Sequence, residues 1–181
     1  AGGEDLAGVV VGDLDVIAVR KGAANMARHL GIIQLFGVPV VVAINLFEND
    51  HEDEVQEIRR LCEGMGIPVG VSSHHADGGK GALEIATKLK EVIRECPHCF
   101  NTLYPDNLTL KEKVEYICHN IYGAGKVQFT IDAIKNMQKY EKMGYNDLPI
   151  CMAKTQYSLS DNPKLLGSPM KFKVTIRDML I

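Results

Sequence analysis

An α/β fold, with a mostly parallel sheet flanked by helices and a smaller C-terminal α/β lobe, is predicted by three features of this chain. Residues 38–44 form a nearly unbroken β-branched run, strand-like runs alternate with helices of 3.6-residue apolar spacing, and glycine or proline punctuates the changes. Residues 15–19 (DVIAV) read as a first short apolar strand. Ala23, Met26, Ala27, Leu30 and Ile33 then recur at helical spacing before Gly37. The run 38–44 reads as a strand buried on both faces, as in a helix-covered parallel sheet. Asp50 is placed to N-cap a helix that carries Val55, Ile58, Leu61, Cys62 and Met65 on one face and stops at Gly66. Residues 68–72 make the next strand. Ala82, Ile85, Ala86, Leu89, Val92 and Ile93 form a further apolar stripe, entered through the glycine-rich 77–81. Three rounds of strand, loop and helix imply right-handed crossovers.

The pattern changes near Pro105, so the domains are expected at 1–104 and 105–181. Thr109 and Glu112 have capping-box spacing at the head of a helix with Val114, Ile117, Cys118 and Ile121 inward. A second helix runs from about 130 to 143 and stops at Gly144. Residues 150–153 read as a strand, 155–170 as a long polar loop and 172–176 as a strand of alternating faces.

Composition narrows the function. With 181 residues, 46% hydrophobic, 24% charged and a net charge of −3, the chain can bury one sizeable core or two small lobes. Its basic residues are scattered, which argues against a nucleic-acid surface. No apolar stretch approaches the roughly 18 residues of a membrane span, and the start lacks the basic region of a secretory signal. The chain begins at Ala1 without Met, as expected of a partial or trimmed polypeptide.

Cys62, Cys96, Cys99, Cys118 and Cys151 make an odd set in an apolar-rich chain, so reduced intracellular thiols are expected rather than a disulfide framework. Cys96-Pro97-His98-Cys99 has the C-x-x-C form of thiol–disulfide oxidoreductases. It follows a helix instead of opening one, and structural thiols are the better reading. No second Cys/His pair completes a zinc site, and no metal site is expected.

Ligand chemistry is expected where parallel strands end. Three segments qualify: 45–50, 72–81 and 154–161. In the first, Phe47 stands between Asn45 and acidic residues, which fits either a stacking surface for a flat ring or a hydrophobic staple for the next helix. Gly78, Gly79 and Gly81 would let a ligand approach the main chain. Neither they nor residues 123–126 form a phosphate loop: His74 and Asn120 stand at the leading glycine position, and Gly81 and Val127 follow Lys80 and Lys126 where a Ser/Thr belongs. Lys154, Thr155, Gln156 and Tyr157 supply a cation, a hydroxyl, an amide and an aromatic within four residues, a binding-loop composition. The bland alternative packs Tyr157 and pairs Lys154 with Asp161.

Five separated blocks, 37–47 (GVPVVVAINLF), 78–82 (GGKGA), 121–124 (IYGA), 148–167 (LPICMAKTQYSLSDNPKLLG) and 175–178 (TIRD), carry a family resemblance. From about Lys21 onward the chain resembles formate–tetrahydrofolate ligase, or 10-formyltetrahydrofolate synthetase. The resemblance implies a C-terminal portion of the enzyme, with a P-loop-NTPase-like core whose phosphate loop lies upstream. It implies ATP-dependent formation of 10-formyltetrahydrofolate from formate and tetrahydrofolate, with Mg²⁺ on the triphosphate and a monovalent cation assisting. It further implies one-carbon metabolism in the cytoplasm or the mitochondrion, and a homo-oligomer for the full-length enzyme. On its own the segment is expected to be inactive.

In that family an aromatic after the AIN strand and a Trp ahead of the GG-x-G turn sandwich the folate ring. Phe47 matches the first, and His75 stands where the Trp would be. The resemblance also puts Asn45, Gly78, Gly79, Lys154, Thr155, Gln156 and Tyr157 at the nucleotide or substrate cleft, and assigns no catalytic residue. A non-catalytic binding or assembly module derived from the enzyme is the alternative. His74 and His75 as a solvated loop pair is the bland reading of that position.

Overall fold

The computed structural model describes residues 14–95, 100–153, 159–160 and 162–181. The chain is α/β and divides into two compact units, Ala1–Asn101 and Thr102–Ile181.

In the first unit α1 spans Val16–Leu35, so the expected strand at 15–19 is the first turn of a helix. Two contacts, one local and one tertiary, override the β-branched composition. The Asp15 side chain accepts from the Ala18 N–H at 2.9 Å, capping the helix. Arg20 Nε donates to Glu57 Oε1 at 2.6 Å, tying that turn to the next helix. The β-branched run shortens as well: β1 is Val42–Asn45 and only one of its faces is buried, not two. Its partner β2, Val69–Ser72, is four residues long and limits the ladder to Val42↔Val69 through Asn45↔Ser72, in parallel. Among the described residues two strands, rather than three, make this sheet.

Helix α2, Glu52–Gly64, joins β1 to β2. His51, not Asp50, occupies its N-cap, because the Asp50 carboxylate is taken by the Phe47 N–H at 2.7 Å. Glu52, Asp53 and Glu54 in the first turn compensate by facing the positive end of the helix dipole. Leu30, Ile44, Val55, Cys62, Ile67 and Val69 form the core. Beyond β2 come a one-turn helix α3, His74–Asp77, a tight 3₁₀ turn Gly78–Ala82, and α4, Leu83–Glu95. Half of the expected stripe stays in solvent, with Ala86, Leu89 and Ile93 exposed. Cys96 and Cys99 lie outside the described residues.

In the second unit the capping box at Thr109 and Glu112 is present and opens α5, Leu110–Ile117, which continues into a π-turn at Cys118–Tyr122. A strand not expected from the sequence, β3 at Lys126–Phe129, precedes α6, Ile131–Lys142, and pairs in parallel with β4, Lys173–Ile176. Its four residues are too few to show a period. The expected strand at 150–153 forms no regular element and has no ladder partner among the described residues. Val114, Cys118, Ala124 and Phe172 form this core, packed by Ile150, Met152, Val174 and Ile176. Among the described residues no helix is long and apolar enough to cross a membrane.

Candidate functional site

Parallel pairing of β1 with β2 brings two of the three expected loops to one sheet end. Leu46 N–H extends the ladder by donating to Ser72 O at 2.9 Å, so residues 47 and 73 leave side by side. Each loop then locks itself. Phe47 N–H donates to Asp50 Oδ2 at 2.7 Å and Asp50 N–H donates back to Phe47 O at 3.1 Å, holding the Phe47 ring outward, 49% exposed. On the β2 side Ser72 Oγ lies 2.9 Å from His74 Nδ1, and Ser73 Oγ donates to Asp77 Oδ2 at 2.7 Å. These bonds fix the one-turn helix that carries His75.

The rings of Phe47 and His75 come within 5.6 Å, centroid to centroid, tilted by 53°. Two parallel plates bracketing a third ring would need about 7 Å, twice the optimal carbon–carbon contact. As folded the rings therefore touch each other, and a flat ligand either stacks on the outer face of Phe47 or swings His75 aside. Asn45 ends β1 opposite Ser72, exposed at the same edge.

Glycine chemistry sets the 3₁₀ turn. Ser73 N–H donates to Gly81 O at 3.0 Å, and a Cβ on Gly81 would sit 2.6 Å from the Ser73 carbonyl carbon. Gly78 adopts φ 60° and ψ −143°, a region reserved for glycine, whereas Gly79 has open space around it. Lys80 is exposed. Beneath the site, Arg59 grips Glu84 at 3.2 and 3.3 Å, and Glu84 Oε2 also accepts from Val71 N–H at 3.2 Å. The Arg59 guanidinium, more than the main-chain bond, holds the Glu84 carboxyl below the usual range.

Lys154, Thr155, Gln156 and Tyr157 lie outside the described residues, as does Asp161. Among the described residues no group of three or more His, Cys, Asp or Glu side chains is arranged to hold a metal ion. The donor set at 45–50 and 72–81 does not fit a triphosphate with its cation: no carboxylate cluster faces the glycine turn, and Asp50 and Asp77 are engaged with their own loops. No phosphoryl-transfer step is assigned to it. Asp50, Ser72 and Ser73 are the positioning residues that sequence reasoning missed. The only available signal was a serine pair after a strand and an aspartate three residues after the aromatic.

Thiol chemistry is muted. Cys62 and Cys118 are buried and free, and burial pushes the Cys118 thiol up to about 11. Cys151 is exposed.

A family model described as formate–tetrahydrofolate ligase matches residues 2–181. Formate–tetrahydrofolate ligase of Paracoccus denitrificans is 42% identical over 169 residues, which is 93% of this chain and 30% of that protein. The protein of the same name from Hyphomonas neptunium is 41% identical over 169 residues, again 93% and 30%. The chain thus spans about three-tenths of the length of these relatives.

Proposed function

Since the chain belongs to the formate–tetrahydrofolate ligase family, we propose that it supplies the aromatic wall of the folate cleft in an ATP-dependent ligation of formate to tetrahydrofolate. The observation that supports this reading is the approach of Phe47 and His75 at the ends of two adjacent parallel strands. In the proposed reaction a formate oxygen takes the terminal phosphoryl group of ATP, which releases ADP. The N10 amine then attacks the resulting acyl phosphate and expels phosphate. Excluding water protects that anhydride, and Phe47, half exposed on a self-locked loop, is suited to orienting the flat ring beside it. Residues 1–104 would belong to a P-loop-NTPase-like sheet and 105–181 to a lobe carrying the loop at 154–157. Mg²⁺, a monovalent cation and a homo-oligomer belong to the proposal for the whole enzyme.

His75 in place of a broader aromatic, together with the lack of a triphosphate cradle among the described residues, supports a second reading, a non-catalytic binding module derived from the enzyme. Calorimetric titration of a folate analogue into the chain and into Phe47→Ala, His75→Trp and the double variant tests the aromatic wall. An aromatic contact contributes about 0.5–1.5 kcal/mol beyond burial. His75→Trp should therefore tighten binding several-fold, and Phe47→Ala should remove it in both backgrounds. Equal affinity in all four would overturn the wall. ADP release with formate and tetrahydrofolate, expected to be absent from the chain alone, separates the two readings once a triphosphate-binding segment is supplied: restored release favours the ligase and continued silence the module.

A further inference from the structure

Both carriers of the aromatic contact are fixed, but its two rings are not equally held. Reciprocal bonds between Phe47 and Asp50 tie one loop, and Ser72 with His74 and Ser73 with Asp77 tie the one-turn helix on the other side. The 5.6 Å between the rings falls short of the roughly 7 Å that a third ring needs, so the gap must widen by about 1.4 Å. With both main chains tied, a side chain has to turn. Phe47 is 49% exposed and would give up the apolar area that its covered half buries, whereas the imidazole of exposed His75 returns to water at little cost. Neither ring nitrogen of His75 has a hydrogen-bond partner among the described residues; Ser72 engages its neighbour His74 instead. His75 is therefore the ring that moves, and its contact with the Phe47 ring is what holds it.

That contact depends on charge. At a tilt of 53° the edge of one ring meets the face of the other, and an edge that carries N–H groups is drawn to the negative face of a phenyl ring. A protonated imidazole is a cation, and cations are attracted to an aromatic face within about 6 Å of its centroid. We propose that His75 is a charge-sensitive latch on the ring site: as imidazolium it closes on Phe47, and as neutral imidazole it lets a flat ligand in. Binding to the open form then releases a proton, so acid weakens binding. The charged and titratable groups on the elements around it are His74 and Asp77 on its own helix, Glu48, Asp50 and His51 beyond the end of β1, and Lys80 on the 3₁₀ turn. Asp50 and Asp77 are taken by the Phe47 N–H and by Ser73 Oγ, and no hydrogen bond engages Glu48 among the described residues. Glu48 is therefore the competing partner for the charge. The inference rests on the aromatic-wall reading, and its experiment separates the two.

The first measurement needs no ligand. Carbon–proton NMR correlation of the His75 imidazole follows its titration in the 181-residue chain, with the His75→Gln spectrum identifying the signal. Phe47→Leu should lower the midpoint by about half a pH unit, the roughly threefold change in proton affinity expected of an exposed cation–π contact. Glu48→Gln should lower it less. Calorimetric titration with folic acid from about pH 7.5 to about pH 5.5, which spans the imidazole transition, should then show binding about two- to threefold weaker at the acid end. His75→Gln should flatten that slope. An unchanged or raised midpoint in Phe47→Leu overturns the latch, as does a midpoint that Glu48→Gln lowers more than Phe47→Leu does. So does binding that is indifferent to pH while still lost in Phe47→Ala, an outcome that leaves the wall standing. Binding that tightens in acid would mean that the imidazolium pairs with the carboxylates of the ligand, and it too overturns the latch. If the wild-type chain binds at no pH the wall falls, and the midpoint alone decides whether charge draws His75 onto Phe47.

Discussion

Replacing Gly81 by Ala puts the site's architecture to a quantitative test. The added Cβ would lie 2.6 Å from the Ser73 carbonyl carbon, 2.6 Å from its Oγ and 2.7 Å from its carbonyl oxygen. Carbon contacts are comfortable at about 3.5–4.0 Å, so one segment must retreat by roughly 1 Å. Two of the three crowded atoms are main chain, and the same segments are joined by the Ser73 N–H bond to Gly81 O, so retreat also costs that bond. Overpacking at about 1–3 kcal/mol and a lost hydrogen bond at about 0.5–1.5 kcal/mol together give roughly 2–4 kcal/mol. For a unit of this size that lowers Tm by roughly 10 °C or more. The neighbouring glycines are controls with different signs. Gly79→Ala meets nothing within 4 Å at an ordinary φ and should stabilise by about 0.4–1 kcal/mol, whereas Gly78→Ala must hold a glycine-only conformation and should cost about 1–3 kcal/mol. Far-UV circular dichroism during heating reads the three variants. All six tyrosines lie beyond residue 101 and Trp is absent, so tyrosine fluorescence without denaturant reports on the second unit and should stay at the wild-type value. A Gly81→Ala protein that melts at the wild-type temperature, or a Gly79→Ala protein that loses as much, would refute the close approach on which the site geometry rests.

Glu57, 5% exposed, accepts from Arg20 and Arg60, and its carboxyl is held below the ordinary 4.5 by the Arg20 hydrogen bond first, with burial opposing. A lowered folded value means that its stabilisation is present above pH 4.5 and is lost as pH falls through the folded value. Glu57→Gln should therefore lower the urea midpoint at pH 7, and its gap from wild type should narrow steadily as pH falls below 4.5; a gap that stays constant with pH would rule out ionisation as the cause. Lys113, 1% exposed, donates to Asn146 O at 2.7 Å and Leu148 O at 3.2 Å, clamping the turn after α6. Lys113→Met strands both carbonyls and should cost about 1–3 kcal/mol in a tyrosine-fluorescence urea titration; an unchanged midpoint would show that water replaces the ammonium without loss.

What this sequence determined by itself is what depends on neighbours along the chain. Thr109 with Glu112, Thr130, and the positive-φ Gly66 and Gly144 act within a turn of where they stand, so helix ends there were legible. So was the family, whose blocks are local strings. Tertiary structure decided whatever needed a distant partner. Residues 15–19 became helix once Arg20 met Glu57, 37 positions away, and β1 began only at Val42, where β2 offers Val69 as its first partner. Strand β3 exists because β4, 47 residues later, offers a register that four residues could not announce, whereas 150–153 finds none among the described residues. The Phe47–His75 contact is of the same kind. Residue type nominated both rings, but only the parallel register of Asn45 with Ser72 sets them 5.6 Å apart, because strand pairing converts 28 residues of chain into one strand spacing.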